Sequence, residues 1–484
     1  MPHLPWPARR GWRGSHTSGK NKKKQKIKMK PFIFGTWNVR TLLDNAQANR
    51  PERRTALVGR ELARYKVDIA ALSETRLAEE GQLKETGAGY TFFWSGRAKD
   101  DRREAGVGFA VRNELVNKLN SLPQGINDRI MTLKLTLTGK KQATIISAYA
   151  PTMTNPDDIK DQFYEELNSL VTAVPKTEKL IILGDFNARV GVDHLSWENV
   201  LGKNGIGRCN SNGLLLLQLC AEHELLVTNT VFRLPARNRT SWMHPRSKHW
   251  HLIDYVIVRK RDRQDVRVTK AMCGAECWTD HRLIVSKLNL RIHPKRRPQG
   301  FKASKRLNVG KLKLPFSSQS FAKTLEERLK TTVLDDHNME AAWSTLREAV
   351  YNTAFESLGP SIRVHKDWFD ENCTEIMQLL EDKRLAYKNH LDDPSSTAKK
   401  DTLRNARSIV QQKLREMQDS WLKAKADEIQ RCADFHDMKN FYSGLKEVYG
   451  PTSSGSSPPL LSAYGSTFIT EKEKILERWA STAF

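Results

Sequence analysis

The chain has 484 residues, with 80 Lys and Arg against 55 Asp and Glu, a formal charge of +25, and 39% hydrophobic residues. That length exceeds what one core usually serves, so a folded domain with appendages is expected. The charge would repel cationic ligands and draw in polyanions such as nucleic acid or an anionic membrane face, without choosing between them. No apolar run is long enough to span a bilayer and the first residues lack an apolar signal core, so no membrane partner is expected and the protein should be intracellular. Six scattered cysteines are too few for a disulfide framework and should be free thiols; Cys273 and Cys277 lack the further ligands a zinc site needs.

Residues 1–30 hold ten Lys or Arg and no acid, ending in KNKKKQKIKMK. They read as a disordered basic tail, either a solvated segment or a nuclear-localisation and phosphate-binding element. Over residues 31–290, short apolar runs (PFIFGTW, VDIAALSE, GVGFAV, IMTLKLTL, ATIISAYA, KLIILGD, LIDYVIV) alternate with helical patterns such as PERRTALVGRELARYK. This is an α/β domain, and closely spaced strands favour two packed mixed β-sheets flanked by helices. Residues 291–315, RIHPKRRPQGFKASKRLNVGKLKLP, form a basic linker. Residues 316–484 are predicted to be a helical arm burying Trp343, Leu346, Val350, Leu403, Val410, Leu414, Met417 and Trp421, interrupted by the loop-like PTSSGSSPPLLS. Such spacing is what packing demands, so the arm should carry no catalysis, and its open role is a protein partner.

Polar residues recur where apolar strands end: Asn38 after FIFGTW, Glu74 after DIAALS, Tyr149 in SAYAP, and Asp185 and Asn187 after KLIILG, with Asp280 and His281 just before RLIVSKLNL. Strand ends at a sheet edge are where α/β proteins place their sites. Carboxylates converging there would repel one another without a cation, and an oxygen-rich cluster suits Mg²⁺ or Mn²⁺. A phosphate ester then becomes the natural substrate. Singly, each residue has a plainer reading: Asp185 as a turn former, Asn38 as a turn residue, Tyr149 as core, His281 as a surface imidazole.

Taken in order, GTWNVRTL, SETR, SAYAPT, GDFNARVG, LIDYVIV and TDHRLI closely resemble the endonuclease/exonuclease/phosphatase superfamily, and the wording of the first and fourth resembles in particular the endonuclease domain of LINE-type (non-LTR) retrotransposons. The resemblance spans roughly residues 32–290. It implies that Glu74 binds metal and that Asn38 helps fix metal and phosphate, with Asp280 near the metal. It assigns Tyr149 to the scissile phosphate, Asp185 to activating water, Asn187 to the phosphate in the transition state, His281 to a non-bridging oxygen and Asp254 to orienting that imidazole. Ser241 or Thr240 falls where such domains place a hydroxyl on the phosphate. Arg40, two residues after Asn38, stands where relatives acting at abasic sites carry an acid, which weakens a repair assignment. Trp242, His244, Arg246, Lys248, His249 and Trp250 either form a DNA-contacting loop or cover the core.

The resulting expectation is a Mg²⁺- or Mn²⁺-dependent DNA endonuclease in the nucleus, and also the cytoplasm, derived from a LINE-type element and without the paired-aspartate motif of a polymerase. Two alternatives stand beside it: a catalytically silent chromatin-associated binding protein, and a small-molecule or lipid phosphatase of the same superfamily.

Overall fold

Along each central strand, alternate residues belong to different cores, as the period-2 geometry of a strand requires. In Phe32–Asn38, Phe32 and Phe34 join one cluster while Ile33 and Trp37 join another. In Lys179–Asp185, Ile181 and Leu183 face the first cluster while Leu180 and Ile182 face a third. Strands buried on both faces read as continuous apolar runs, and this is why FIFGTW and KLIILG stood out.

The computed structural model describes residues 31–44, 53–139, 141–293, 307–309, 312, 315–331, 339–359 and 367–448, together with short strands at 454–455, 460–461 and 468–469. The basic tail, residues 294–306 of the linker and most of the PTSSGSSPPLLS stretch lie outside the described residues. In chain order the elements are β1 (Phe32–Asn38), α1 (Arg54–Arg64), β2 (Ile69–Ser73), β3 (Glu80–Glu85), β4 (Tyr90–Ser95), β5 (Val107–Arg112), α2 (Asn113–Val116), β6 (Gln124–Gly125), β7 (Ile130–Thr136), β8 (Gln142–Tyr149), α3 (Asp157–Ala173) and β9 (Lys179–Asp185). There follow α4 (Ser211–Glu222), β10 (Leu225–Val227), β11 (Trp242–Met243), β12 (Trp250–His251), β13 (Asp254–Arg259), β14 (Val266–Met272) and β15 (Leu283–Leu288). The C-terminal helices are α5 (Pro315–Thr331), α6 (Met339–Leu358), α7 (Trp368–Glu371), α8 (Cys373–Asp392), α9 (Thr397–Asp434) and α10 (Met438–Val448).

Two mixed sheets result. One runs β14-β15-β1-β2-β5-β4-β3 and is extended at its edge by Ser454–Gly455; the other runs β10-β13-β9-β8-β7-β6. The β1–β2 and β8–β9 pairs are parallel and the remaining pairs antiparallel. Phe34, Ile69, Phe109, Leu133, Ile145, Leu183, Val256 and Ile284 fill the space between the sheets. α3 and α4 cover the outer face of the second sheet with Phe163, Leu167, Leu216 and Leu217. α1 covers the outer face of the first sheet. This is the four-layer α/β sandwich expected from the sequence. β3, with the charged sequence EGQLKE, gave no apolar run to read.

The helical region joins this sandwich. Trp368 and Phe369 of α7, Ile376 of α8, and Val410 and Leu414 of α9 share a core with Leu57 and Leu62 of α1 and with Trp37, Leu72 and Phe92 of the first sheet. Phe369 is 0% exposed. Leu403, Val410 and Leu414 are buried as expected, and Met417 and Trp421 pack partly buried against the same core. Trp343, at 58% exposed, and Val350 are not buried: α6 hides Thr353, Ala354 and Leu358 near its other end instead. All six cysteines are free, and no helix among the described residues is long and apolar enough to cross a membrane.

Candidate active site

Register places the polar strand ends together. Tyr149 pairs with Asp185 across the parallel β8–β9 ladder, and Asp185 pairs with Asp254 across the antiparallel β9–β13 ladder. In the other sheet, Asn38 pairs with Ser73, so Glu74 leaves β2 beside it. The two groups meet across the sandwich through the Asn38 amide, whose Nδ2 donates to Glu74 Oε1 at 2.8 Å and to Asp185 Oδ2 at 2.9 Å. Asn38 and Asp185 are each only 1% exposed, so this bridge lies at the floor of the site.

The backbone at these exits is unusual. Arg40, Glu74, Arg76, Asn187 and Trp278 all hold positive φ between 47° and 59°. None is glycine, and such left-handed residues cost about 1 kcal/mol or more each, a strain that folded proteins concentrate at functional sites. At Asn187 the conformation aims its N–H at Asp185 Oδ1 (3.0 Å), while its side-chain Nδ2 donates to Ala150 O (2.9 Å).

Opposite the bridge stands a His–Asp pair. His281 Nδ1 lies 3.0 Å from Asp254 Oδ2 and 3.9 Å from Asp185 Oδ2. Asp254 is wholly buried, and its Oδ1 has no hydrogen-bond partner among the described residues. Burial alone would lower the imidazole pKa, but Asp254 and Asp185 outweigh it and raise it to about 9, which keeps the ring cationic at neutral pH. Burial, and then Asp254, push the Asp185 carboxyl above the usual carboxylate range, against the opposing pull of His281 and Asn38. Burial also raises Tyr149 well above the ordinary phenol, with Glu74 and Asp185 adding to the effect, so its hydroxyl stays protonated.

Asp185, Asp254 and His281 offer ligand atoms within 4.8 Å of one another, close enough to hold a metal ion. A cationic imidazole, however, has no lone pair to give. The Glu74 carboxylate, tied to Asp185 through the Asn38 amide, is the better match to a hard divalent ion. A half-buried and a buried carboxylate sharing one neutral donor, beside a third with an unpartnered oxygen, form a set whose charge a cation would balance.

The remaining expected residues divide into rim and scaffold. Asp280, expected near the metal, has Oδ2 accepting from Trp242 Nε1 (3.0 Å) and Oδ1 3.4 Å from Arg40 Nη1. Trp242 and the half-exposed Arg40 thus line the mouth. Ser241 and Thr240, expected as phosphate hydroxyls, are 0% and 3% exposed. Ser241 Oγ accepts from the Ile253 N (3.0 Å) and Asp254 N (3.1 Å), so it seats the start of β13. Thr240 Oγ1 accepts from Arg282 Nη1 (2.7 Å) and donates to Ala236 O (3.2 Å). Both hydroxyls are committed to the protein. Of the aromatic and basic loop, Trp242 and Trp250 sit on the paired β11 and β12, with the Arg282 guanidinium 3.3 Å from the centre of the Trp250 ring; His244, Arg246, Lys248 and His249 are exposed or half-buried at its tip.

Several groups were not singled out from sequence. Arg76 pairs with Glu74 (3.2 Å), and its place in SETR two residues after the Glu is a readable signal. Thr279, in TDH, donates to Asn38 O (2.8 Å). Arg129 stacks on the Tyr149 ring (5.3 Å), and the fully buried Arg54 donates to Val39 O (2.8 Å) and Cys277 O (2.9 Å). Neither has a local sequence cue.

Residues 35–281 match the model of the Endonuclease/Exonuclease/phosphatase family, about half of the chain. The chain is 32% identical over 267 residues to Craniofacial development protein 2 of Bos taurus, covering 54% of this chain and 42% of that protein. It is 30% identical over 294 residues to the protein of the same name from Tragulus javanicus, covering 60% and 48%. The chain therefore spans about half the length of these curated relatives. Among solved structures, it is similar to the endonuclease domain of TRAS1, a telomere-specific non-LTR retrotransposon, with 17% identity, a TM-score of 0.37, and coverage of 54% of this chain and 99% of that one. The strand-end cluster lies inside the matched span, and the chain belongs to the Endonuclease/Exonuclease/phosphatase family.

Proposed function

We propose that this protein is a divalent-metal-dependent DNA endonuclease of the kind carried by LINE-type retrotransposons, acting in the nucleus. The observation that carries the reading is the Asn38 amide joining Glu74 to Asp185 beside the Asp254–His281 pair. It would bring a hard cation, a proton acceptor and a proton donor together at the strand ends.

Glu74 and Asn38 would hold Mg²⁺ or Mn²⁺, which when bound polarises a phosphoryl oxygen and stabilises a leaving alkoxide. Asp185, its proton affinity raised by burial, takes the proton of the attacking water. His281, held cationic by Asp254, donates to a non-bridging oxygen as charge develops. The protonated Tyr149 hydroxyl and the free amide proton of Asn187 add neutral donors to the same phosphate. DNA is favoured over a small phosphate ester by the +25 charge and by the Arg40, Arg76 and Trp242 rim, which suits a long polyanion with stacked bases.

The deciding experiment is nicking of supercoiled plasmid by the full chain with Mg²⁺ or Mn²⁺, set beside turnover of inositol phosphates. Nicking abolished by EDTA, and lowered on the order of a hundredfold or more by Glu74→Ala, is the expected result. Inositol phosphate turnover without nicking would replace the DNA reading with a phosphatase, and neither activity would leave the binding-protein alternative.

A further inference from the structure

The loop of residues 273–281 between β14 and β15 carries Thr279, Asp280 and His281 into the site, and its underside meets the C-terminal helices. Glu276 is the contact. It is 7% exposed; its Oε1 accepts from Trp278 N at 3.2 Å and from Arg407 Nη2 of α9 at 3.1 Å, and its Oε2 meets Lys383 Nζ of α8. Lys383 is 3% exposed, and its ammonium also sits 3.6 Å from the centre of the Trp278 ring. Trp278 takes a left-handed φ of 51°. Burial would raise the Glu276 carboxyl, but Lys383 and Arg407 hold it below the usual range.

On its other flank the same loop is tied to the strand exit that bears Asn38. Arg54 joins Cys277 O to Val39 O and Thr41 O, and Thr279 Oγ1 reaches Asn38 O. Those ties come from inside the family match, which ends at residue 281, whereas Lys383 and Arg407 lie outside it.

A buried ion pair is a poor source of stability, because apolar side chains in its place are often as good or better; its better-attested use is to specify one conformation. The apolar part of this interface, around Phe369 and Val410, already supplies adhesion. Here charge is buried against a strained loop that ends in the site. We propose that Lys383 and Arg407 are positioning residues: through Glu276 and Trp278 they hold loop 273–281 so that His281 meets Asp254, and the helical region thereby sets turnover and not DNA affinity. The inference rests on the nuclease reading above and deepens it.

The test uses the full chain with Lys383→Met, Lys383→Arg and Arg407→Gln, read by plasmid nicking and by hydrogen exchange of the peptide covering 273–282. Lys383→Met should lower kcat by about ten- to a hundredfold with KM within a few-fold, since small misplacement of a reacting group costs that much. Lys383→Arg should restore most of it, and combination with His281→Ala should cost much less than the product of the two single losses. Loop amides should exchange faster in Lys383→Met. Unchanged exchange overturns the proposal, as does a loss confined to KM or one that multiplies fully with His281→Ala. If Lys383→Met does not fold by circular dichroism, Arg407→Gln decides, because the Arg407 side chain is 40% exposed and its loss strands less charge. A wild-type protein that fails to nick overturns the nuclease reading instead, and the exchange measurement still decides whether these cations hold the loop.

Discussion

Buried charge is settled in opposite ways at the strand-end site and at the helical face of the first sheet. At the helical face each carboxylate meets a cation: Arg53 lies 2.9 Å from Glu85 and 2.6 Å from Asp367, Arg60 lies 3.9 Å from Asp370, and Lys383 and Arg407 share Glu276. At the site, Glu74, Asp185 and Asp254 crowd around one neutral amide and one imidazole, with Arg76 reaching Glu74 from a side chain that is 40% exposed. The first arrangement is complete in itself. The second carries surplus negative charge, a cost that folding alone would not retain and that binding a cation would relieve.

The sharpest way to break this contrast is to remove charge from the site while keeping its shape. Asp185→Asn should lower nicking by about 10²- to 10⁴-fold, the usual worth of a positioned base. It should nonetheless leave the melting temperature unchanged or higher, because one of three crowded carboxylates is gone. Thermal unfolding in EDTA checks the second half. A clear fall in melting temperature would show that the site, like the helical face, is built chiefly for stability.

The converse change belongs to the helical face. Phe369 is wholly buried under the Arg60 guanidinium, which lies 4.4 Å from the ring centre. Phe369→Ala should cost about 3–5 kcal/mol of stability, the range for emptying a buried aromatic site. Protein still folded at low temperature should keep nicking within a few-fold, since this ring touches nothing in the site. Chemical denaturation with a parallel nicking assay measures both, and a stability loss below about 1 kcal/mol would mean the helices are docked only loosely on α1.

These contrasts bear on what the amino-acid order disclosed. Strand ends were legible because a two-faced buried strand has to be apolar, so Asn38, Glu74 and Asp185 appear as polar stops after FIFGTW, DIAALS and KLIILG. Ser241 was not legible in its actual role, since whether a hydroxyl faces solvent or seats the Ile253 and Asp254 amides depends on how β11 turns, not on the letters RTSW. Nor were the struts. Arg54 reaches Cys277, and Glu276 reaches Arg407, across 223 and 131 residues of sequence. Such pairings carry no local periodicity. The helical spacing of α9 showed correctly that Leu403, Val410 and Leu414 are buried, but not that the core Val410 and Leu414 enter is shared with α1 and the first sheet.

The smallest effect to seek is the pH dependence that the Asp254–His281 pair should impart to folding. The imidazole is raised from 6.5 to about 9 in the folded protein. Between those values the folded state holds a proton that the unfolded chain has released, so the pair's contribution is fully present below pH 6.5, declines as pH rises, and is lost above 9. A shift of this size in a buried group corresponds to a contribution on the order of 3 kcal/mol at most. Wild-type stability in EDTA should therefore fall across pH 6.5–9 more steeply than that of His281→Gln, which has no proton to lose there. Asp254→Asn should flatten the profile in the same way by withdrawing the carboxylate that faces Nδ1. A direct chemical-shift titration of the His281 ring would separate this from other groups. A midpoint near 6.5 would mean that burial cancels the carboxylates; the ring would then be neutral at physiological pH, and its lone pair would return it to the candidates for holding metal with Asp185 and Asp254.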